Sequence, residues 1–227
     1  MTRAVIFDLD GTLIDSLPDV LAALNAVLAA GGRRPVTIDE GRTMVGGGAE
    51  PLIERAFAMT GDALAPPEVR SSVEAFTANY RMHPARETTI FDGVIPVLEG
   101  LTARGMKLGI CTNKPHNTAL QVLGALSLDR HFASCIGKAA LPFNKPDRRH
   151  YDEVARALGV APERSIYVGD SETDVATAQN AGVPVVLVTF GYSLVPASEM
   201  GADRLIEHFS ELPAALDDLF SNGAMPS

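Results

Sequence analysis

The chain has 227 residues, 46% of them hydrophobic and 21% charged, with 20 glycines and 15 prolines spread along its length. That balance suits a globular chain with one large core, or a core and a small second domain, and it excludes collagenous, low-complexity and solenoid architectures. A formal net charge of -9 without any Lys/Arg block excludes a general nucleic-acid binder, which needs a basic stripe to displace counterions.

Two cysteines, Cys111 and Cys135, are too few for a disulfide framework or a structural zinc site, and they read as core thiols kept reduced. Only Ala4 to Phe7 is apolar before the first acid, too short for the h-region of a signal peptide, and no long uncharged apolar window follows. The expectation is a cytoplasmic protein with no membrane or nucleic-acid partner.

In chain order, Ala4-Val5-Ile6-Phe7 reads as a buried strand that ends in Asp8-Leu9-Asp10-Gly11-Thr12. Positions i and i+2 of an extended segment face one side, so Asp8 and Asp10 converge, and two like charges so placed call for a cation or a shared proton. From Asp15 to about Glu87 helical patterns follow one another without a strand, over Leu17 to Ala30, Pro51 to Met59 and Glu68 to Arg81, with Pro18 suited to a first turn and Gly31-Gly32 to a stop.

Alternation then resumes. Val94 to Arg104 is a predicted helix, Lys107 to Cys111 a strand ending at Thr112, Thr118 to Leu126 a helix and Ser134 to Gly137 a strand. Asp147 to Leu158 is helical, Ser165 to Val168 a strand ending in Gly169-Asp170, Val175 to Ala181 a helix and Val185 to Val188 a strand. Continuous apolar strands between helices predict an α/β core with a doubly wound parallel sheet covered on both faces. The core is expected over 1-14 and 88-227, with a small helical domain over 15-87 inserted after the first strand. Such an insertion would sit over the strand ends, where ligands of these sheets bind.

Four segments end in polar groups at corresponding places: Asp8/Asp10, Thr112-Asn113, Lys145-Pro146, and Asp170 with Asp174. A parallel sheet brings such strand ends to one edge, giving carboxylates, an ammonium, a hydroxyl and free amides in one pocket. Hard oxygen donors with open positions suit Mg²⁺, which keeps waters and shares phosphate oxygens. A carboxylate can attack phosphorus if charge repulsion is cancelled and the equatorial oxygens are held. Mg²⁺ and Lys145 would cancel it, Thr112 and nearby amides would hold the oxygens, and Asp10 would move the proton.

In these four motifs the chain resembles the haloacid dehalogenase superfamily, in particular its phosphoglycolate-phosphatase-like members with an α-helical cap. The resemblance rests on Asp8-Leu9-Asp10-Gly11-Thr12, Thr112-Asn113-Lys114-Pro115, Lys145-Pro146 and Gly169 to Asp174, and covers nearly the whole chain. It implies a Rossmann-like core, with Asp8 as nucleophile and metal ligand, Asp10 as acid/base with its carbonyl on the metal, and Asp170 as the remaining ligand. Thr112, the Asn113 amide and Lys145 would bind the phosphoryl group, with Asp174 and Thr12 supporting them from behind. The implied activity is Mg²⁺-dependent hydrolysis of a small phosphomonoester, with phosphoglycolate as the leading substrate, in a monomer or homodimer.

The stretch Gly137 to Asn144 lacks the acidic loop many phosphoglycolate phosphatases carry, and Lys138 is a rival for the lysine role. Pyrophosphatase, sugar-phosphate phosphatase and β-phosphoglucomutase remain open within the superfamily, and a receiver-like phospho-signalling module outside it. The absence of lysine between Met1 and Met106 argues against a phosphonate hydrolase that needs a cap lysine.

Gly46-Gly47-Gly48 has no Lys-Ser/Thr after it and no strand before it, so it reads as a loop giving substrate close approach, with Gly47 a candidate contact. Arg33, Arg34 and Arg42 are candidates for a substrate carboxylate, against the simpler reading of solvated surface charge. None of the five histidines shows metal-ligand spacing, and His116 alone, beside the threonine motif, is singled out.

Overall fold

The computed structural model describes residues 2–45 and 48–221. The chain divides into two compact units, Met1–Ile14 with Ile90–Ser227, and Asp15–Thr89.

In the first unit, β1 (Ala4–Phe7), β4 (Lys107–Pro115), β5 (Ser134–Lys138), β6 (Ser165–Gly169), β7 (Val185–Val188) and β8 (Arg204–Ile206) form one sheet in the order β5-β4-β1-β6-β7-β8. Every neighbouring pair is parallel. The central strands β1, β6 and β7 are buried at every residue, which explains their unbroken apolar runs. Among the described residues, this unit carries the α-helices α5 (Val94–Ala103), α6 (His116–Ala125), α7 (Arg148–Leu158), α8 (Glu172–Ala181) and α9 (Leu212–Ser221).

The alternation of β1 assigns its side chains to two cores. Ala4 and Ile6 join Tyr151, Val154 and Leu158 of α7 and Val175 and Ala178 of α8. Phe7 points the other way, stacked on Phe209 at 6.2 Å and edge-on to Phe132 at 6.0 Å. Phe7 lies level with Ile110 of β4 and Val168 of β6, so the residues that follow in all three strands lie towards one edge of the sheet.

In the second unit, α1 (Leu17–Ala30), α2 (Ile38–Arg42), α3 (Ala49–Thr60) and α4 (Pro66–Met82) bury Leu21, Leu24 and Leu28 of α1 with Ile53 and Phe57 of α3 and Phe76 and Tyr80 of α4. Each such side chain is worth about 1.5–3 kcal/mol on burial. Asp19, buried in the first turn of α1, accepts hydrogen bonds from the Glu87 and Thr88 amides and, at 2.6 Å, from the Thr88 hydroxyl. Short strands β2 (Ile14–Asp15) and β3 (Thr89–Ile90) pair where the chain passes from one unit to the other and back.

The observed elements differ from the sequence expectations mainly at ends. Helix α8 starts at Glu172 rather than Val175, because Ser171 and Asp174 form a reciprocal capping box. Strand β4 continues past Thr112 to Pro115 through a register shift against β5. Elements not anticipated are β2, β3, β8, α2 and α9. Helix α2 carries a readable signal, a Thr37/Glu40 capping box, and α9 another, Leu212, Leu216 and Phe220 at intervals of one turn.

Candidate active site

Asp8 follows β1 directly, and its amide donates to the Val168 carbonyl at 2.9 Å. The chain then turns at Gly11, whose φ of +82° favours glycine. A Cβ there would lie 2.4 Å from an Asp170 carboxylate oxygen, and one on Gly191 would lie 2.2 Å from the Asp170 Cβ. Two side-chain-free positions thus make room for Asp170, which follows β6. Its carboxylate accepts from the Thr12 hydroxyl at 3.2 Å and the Tyr192 amide at 2.8 Å.

Lys145 is the electrostatic centre of the arrangement. Its side chain is 2% exposed, with Nζ 3.0 Å from Asp8 Oδ1 and 2.7 Å from Asp174 Oδ1. Burial alone would lower its pKa, but the Asp174 and Asp8 carboxylates reverse this and hold it protonated well above the usual lysine range. Lys138, its rival by sequence, is exposed at the end of β5.

Asp174 is saturated. Its Oδ2 accepts from the amides of Asp170 and Ser171 and the Ser171 hydroxyl, and its Oδ1 from Lys145, with the Tyr167 hydroxyl 3.1 Å away. Burial pushes its pKa up, but the Lys145 ammonium and these hydrogen bonds outweigh that and keep it ionised.

For Asp8 and Asp170 the compensation is smaller than the cost of burial: Lys145 opposes the shift of Asp8, and the Tyr192 amide and Lys145 oppose that of Asp170. Burial, with Asp174 and Asp10 nearby, raises Asp8 to about 6, and burial with Asp174 and Asp8 nearby raises Asp170 well above the carboxylate range. One oxygen from each of Asp8, Asp170 and Asp174 lies within 4.8 Å of the others. Asp8 Oδ1 is buried and, beyond the ammonium beside it, has no hydrogen-bond donor. Four carboxylates, Asp8, Asp10, Asp170 and Asp174, face two ammoniums, Lys114 and Lys145. The formal surplus of two negative charges, the hard oxygen donors and the orphaned Asp8 oxygen fit one divalent cation. Asp8, Asp170 and Asp174 are the side chains whose oxygens could hold it, with those of Asp174 the most fully engaged.

The threonine motif lies on the neighbouring strand. Thr112 is buried, and its Oγ1 accepts the Lys114 amide at 3.2 Å, which leaves the hydroxyl hydrogen to donate elsewhere. The Asn113 side chain clasps the backbone of Lys145, its Nδ2 donating to the carbonyl and its Oδ1 accepting the amide, both at 3.1 Å. That amide also points at His150 Nδ1, 3.2 Å away, while His150 Nε2 lies 3.1 Å from the Ile136 carbonyl. An acceptor Nδ1 and a donor Nε2 define the neutral tautomer, and burial lowers the His150 pKa accordingly.

Sequence reasoning did not assign Lys114, His150 or Tyr167. Lys114 carried a signal, since it sits at i+2 from Thr112 and shares its side of an extended segment. His116, the histidine singled out, accepts the Gly137 amide at 3.3 Å. Among the arginines, Arg34 is engaged by Glu40 in a two-pronged ion pair and Arg33 donates to the Asp62 carbonyl, while Arg42 is exposed. Gly47 lies outside the described residues. No helix among the described residues is long and apolar enough to cross a membrane.

Comparison with known proteins agrees with this chemistry. The chain is 40% identical over 223 residues to the phosphoglycolate phosphatase of Caulobacter vibrioides, covering 98% of this chain and 94% of that one. It is likewise 40% identical to that of Agrobacterium fabrum, covering 99% and 97%. A crystal structure of a predicted phosphoglycolate phosphatase from Haemophilus somnus superposes with a TM-score of 0.87 at 28% identity, covering 95% of this chain and 98% of that one. The haloacid dehalogenase-like hydrolase family matches residues 5–188, a span that holds every acid and lysine described above, and the chain belongs to that family.

Proposed function

We propose that this phosphomonoester hydrolase cleaves 2-phosphoglycolate through an aspartyl-phosphate on Asp8, with Mg²⁺ as cofactor. The observation that carries the reading is the Asp8–Lys145–Asp174 chain, in which a buried carboxylate oxygen has as its neighbour, 3.0 Å away, an ammonium that a second carboxylate fixes. A nucleophile for an anionic phosphate needs that arrangement: its own charge is retained, and a cation beside it offsets the substrate's.

Asp8 attacks phosphorus, and the ester bond breaks with its electron pair on the leaving oxygen. Asp10 gives that oxygen a proton and then takes one from the water that attacks the phospho-aspartate. Lys145, the Thr112 hydroxyl and the Asn113 amide hold the equatorial oxygens, and the Asn113 side chain keeps Lys145 in register. Asp8, Asp170 and the Asp10 carbonyl would hold Mg²⁺, whose positive charge would offset the negative charge of the phosphoryl group. Thr12 and Tyr192 orient Asp170 for that role.

The substrate assignment rests on relatives named for phosphoglycolate at 40% identity over nearly the full chain. The thiols Cys111 and Cys135 are unpaired, which suits a reducing cytoplasm. Phosphate release from 2-phosphoglycolate, pyrophosphate, hexose phosphates and nucleotides, with and without Mg²⁺, tests the reading. A strong preference for 2-phosphoglycolate that needs the ion is expected, and a flat profile would reject the substrate.

A further inference from the structure

We propose that Lys114 is a positioning residue for Asp10: its ammonium fixes Oδ1, so that Oδ2 carries the proton exchanged with the leaving oxygen and then with water. The proposal rests on the reading of Asp10 as the acid/base.

Lys114 Nζ lies 2.7 Å from Asp10 Oδ1, and the Lys114 side chain is 3% exposed against 26% for that of Asp10. Burying a lysine forfeits side-chain freedom and hydration, and the loss of hydration is a cost a surface ion pair would not incur. The backbone that aims it is held as well. The Lys114 amide donates to Thr112 Oγ1, and its carbonyl packs so closely on Gly137 that a Cβ there would come within 2.6 Å of it. The ammonium is therefore fixed from both directions, and it reaches across from β4 to the turn after β1. The two buried lysines pair with three of the four acids, Lys145 with Asp8 and Asp174, and Lys114 with Asp10.

A carboxylate free to rotate presents either oxygen to its surroundings. A charge-assisted hydrogen bond to Oδ1 removes that freedom and reserves Oδ2 for transfer. When the bond from Asp8 to phosphorus forms and the ester P–O bond breaks, the Oδ2 proton passes to the leaving oxygen. When water attacks, Oδ2 takes its proton as the bond between Asp8 and phosphorus breaks. Lys114 keeps its three protons in both steps.

The test exploits the leaving group. An alkyl alkoxide must be protonated as it departs, whereas p-nitrophenolate need not be, and kcat/KM reports only the steps through the first P–O cleavage. In Lys114→Met, kcat/KM for 2-phosphoglycolate should fall about 100-fold, while that for p-nitrophenyl phosphate falls less than about threefold. Asp10→Asn should show the same split, and adding Lys114→Met to it should cost little more. If Lys114→Met does not fold, Lys114→Gln, judged by its melting curve, is measured for the same split. Equal losses on both substrates, or no loss, with the split intact in Asp10→Asn, would overturn the role of Lys114 alone. Absence of the split in Asp10→Asn would overturn the acid/base reading and the proposal with it.

Discussion

Two residues show how burial sets chemistry at this site. Burial and its acidic neighbours raise the pKa of Asp8 to about 6, and only Lys145 opposes them. Replacing its carboxylate by an amide of the same shape removes the proposed nucleophile and leaves the packing of β1 unchanged. Asp8→Asn is therefore expected to lose phosphate release by at least about 10⁴-fold while retaining the wild-type far-ultraviolet spectrum. Retained turnover in that variant would end the aspartyl-phosphate mechanism.

His150 acts more quietly, through the backbone of Lys145. Its neutral form accepts the Lys145 amide, and the groups around it are the Lys145 ammonium, which disfavours a second proton, and Asp147, which favours one. Because burial lowers its pKa, the folded chain binds this proton less readily than the unfolded chain. Its contribution to stability is therefore present above the ordinary histidine pKa and is lost as pH falls below it. Between about pH 7 and 5, wild type should lose stability relative to His150→Asn, which cannot take up the proton, as read by thermal melts of the two proteins. Equal slopes in the two proteins would remove His150 from the account.

At the scale of elements, strand ends were the most legible part of the chain. The apolar runs of β1, β6 and β7 could be read because both faces of a parallel sheet are buried, and period-two alternation then projected Asp8 and Asp10 to one side. Residues whose function depends on distant partners could not be read this way. His150 and Tyr167 look like ordinary members of α7 and β6, and their hydrogen bonds reach β4, β5 and Asp174 through tertiary packing alone. Strand β8 has three residues, too few for alternation to register.

The loop after β7 offers a sharper element-level test. Gly191 approaches the Cβ of Asp170 so closely that no side chain fits, and the next residue supplies the amide that holds Asp170 Oδ2. Gly191→Ala should therefore displace Asp170 without touching Asp8 or Lys145. Divalent-ion affinity, read by calorimetry, should weaken about 10–100-fold, and added Mg²⁺ should restore part of the activity. An unchanged affinity would show that the loop yields instead of the acid.

Across the whole molecule, every acid and lysine assigned a role in the reaction belongs to the unit formed by Met1–Ile14 and Ile90–Ser227. The unit Asp15–Thr89 has its own buried core and its own closure at Asp19 and Thr88. The formal surplus of negative charge at the strand ends sets buried carboxylates against one another, and burial makes that repulsion larger than it would be in water, which is why Asp8 and Asp170 hold protons more tightly than usual when no cation is bound. A divalent ion should then act as a stabiliser as well as a cofactor. At a concentration about 100 times its Kd it adds about 2.7 kcal/mol, which corresponds to a rise of roughly 5–10 °C in Tm for a chain of this size. Asp170→Asn removes one charge of the surplus and one ligand together, so the variant without ion should melt at or above the wild-type temperature, and Mg²⁺ should no longer shift it. If the two units melt separately, only the transition of the catalytic unit should respond. A wild-type Tm indifferent to Mg²⁺ would mean that the four carboxylates balance their charge by sharing protons, and the orphaned Asp8 oxygen would then mark a proton site in place of a metal site.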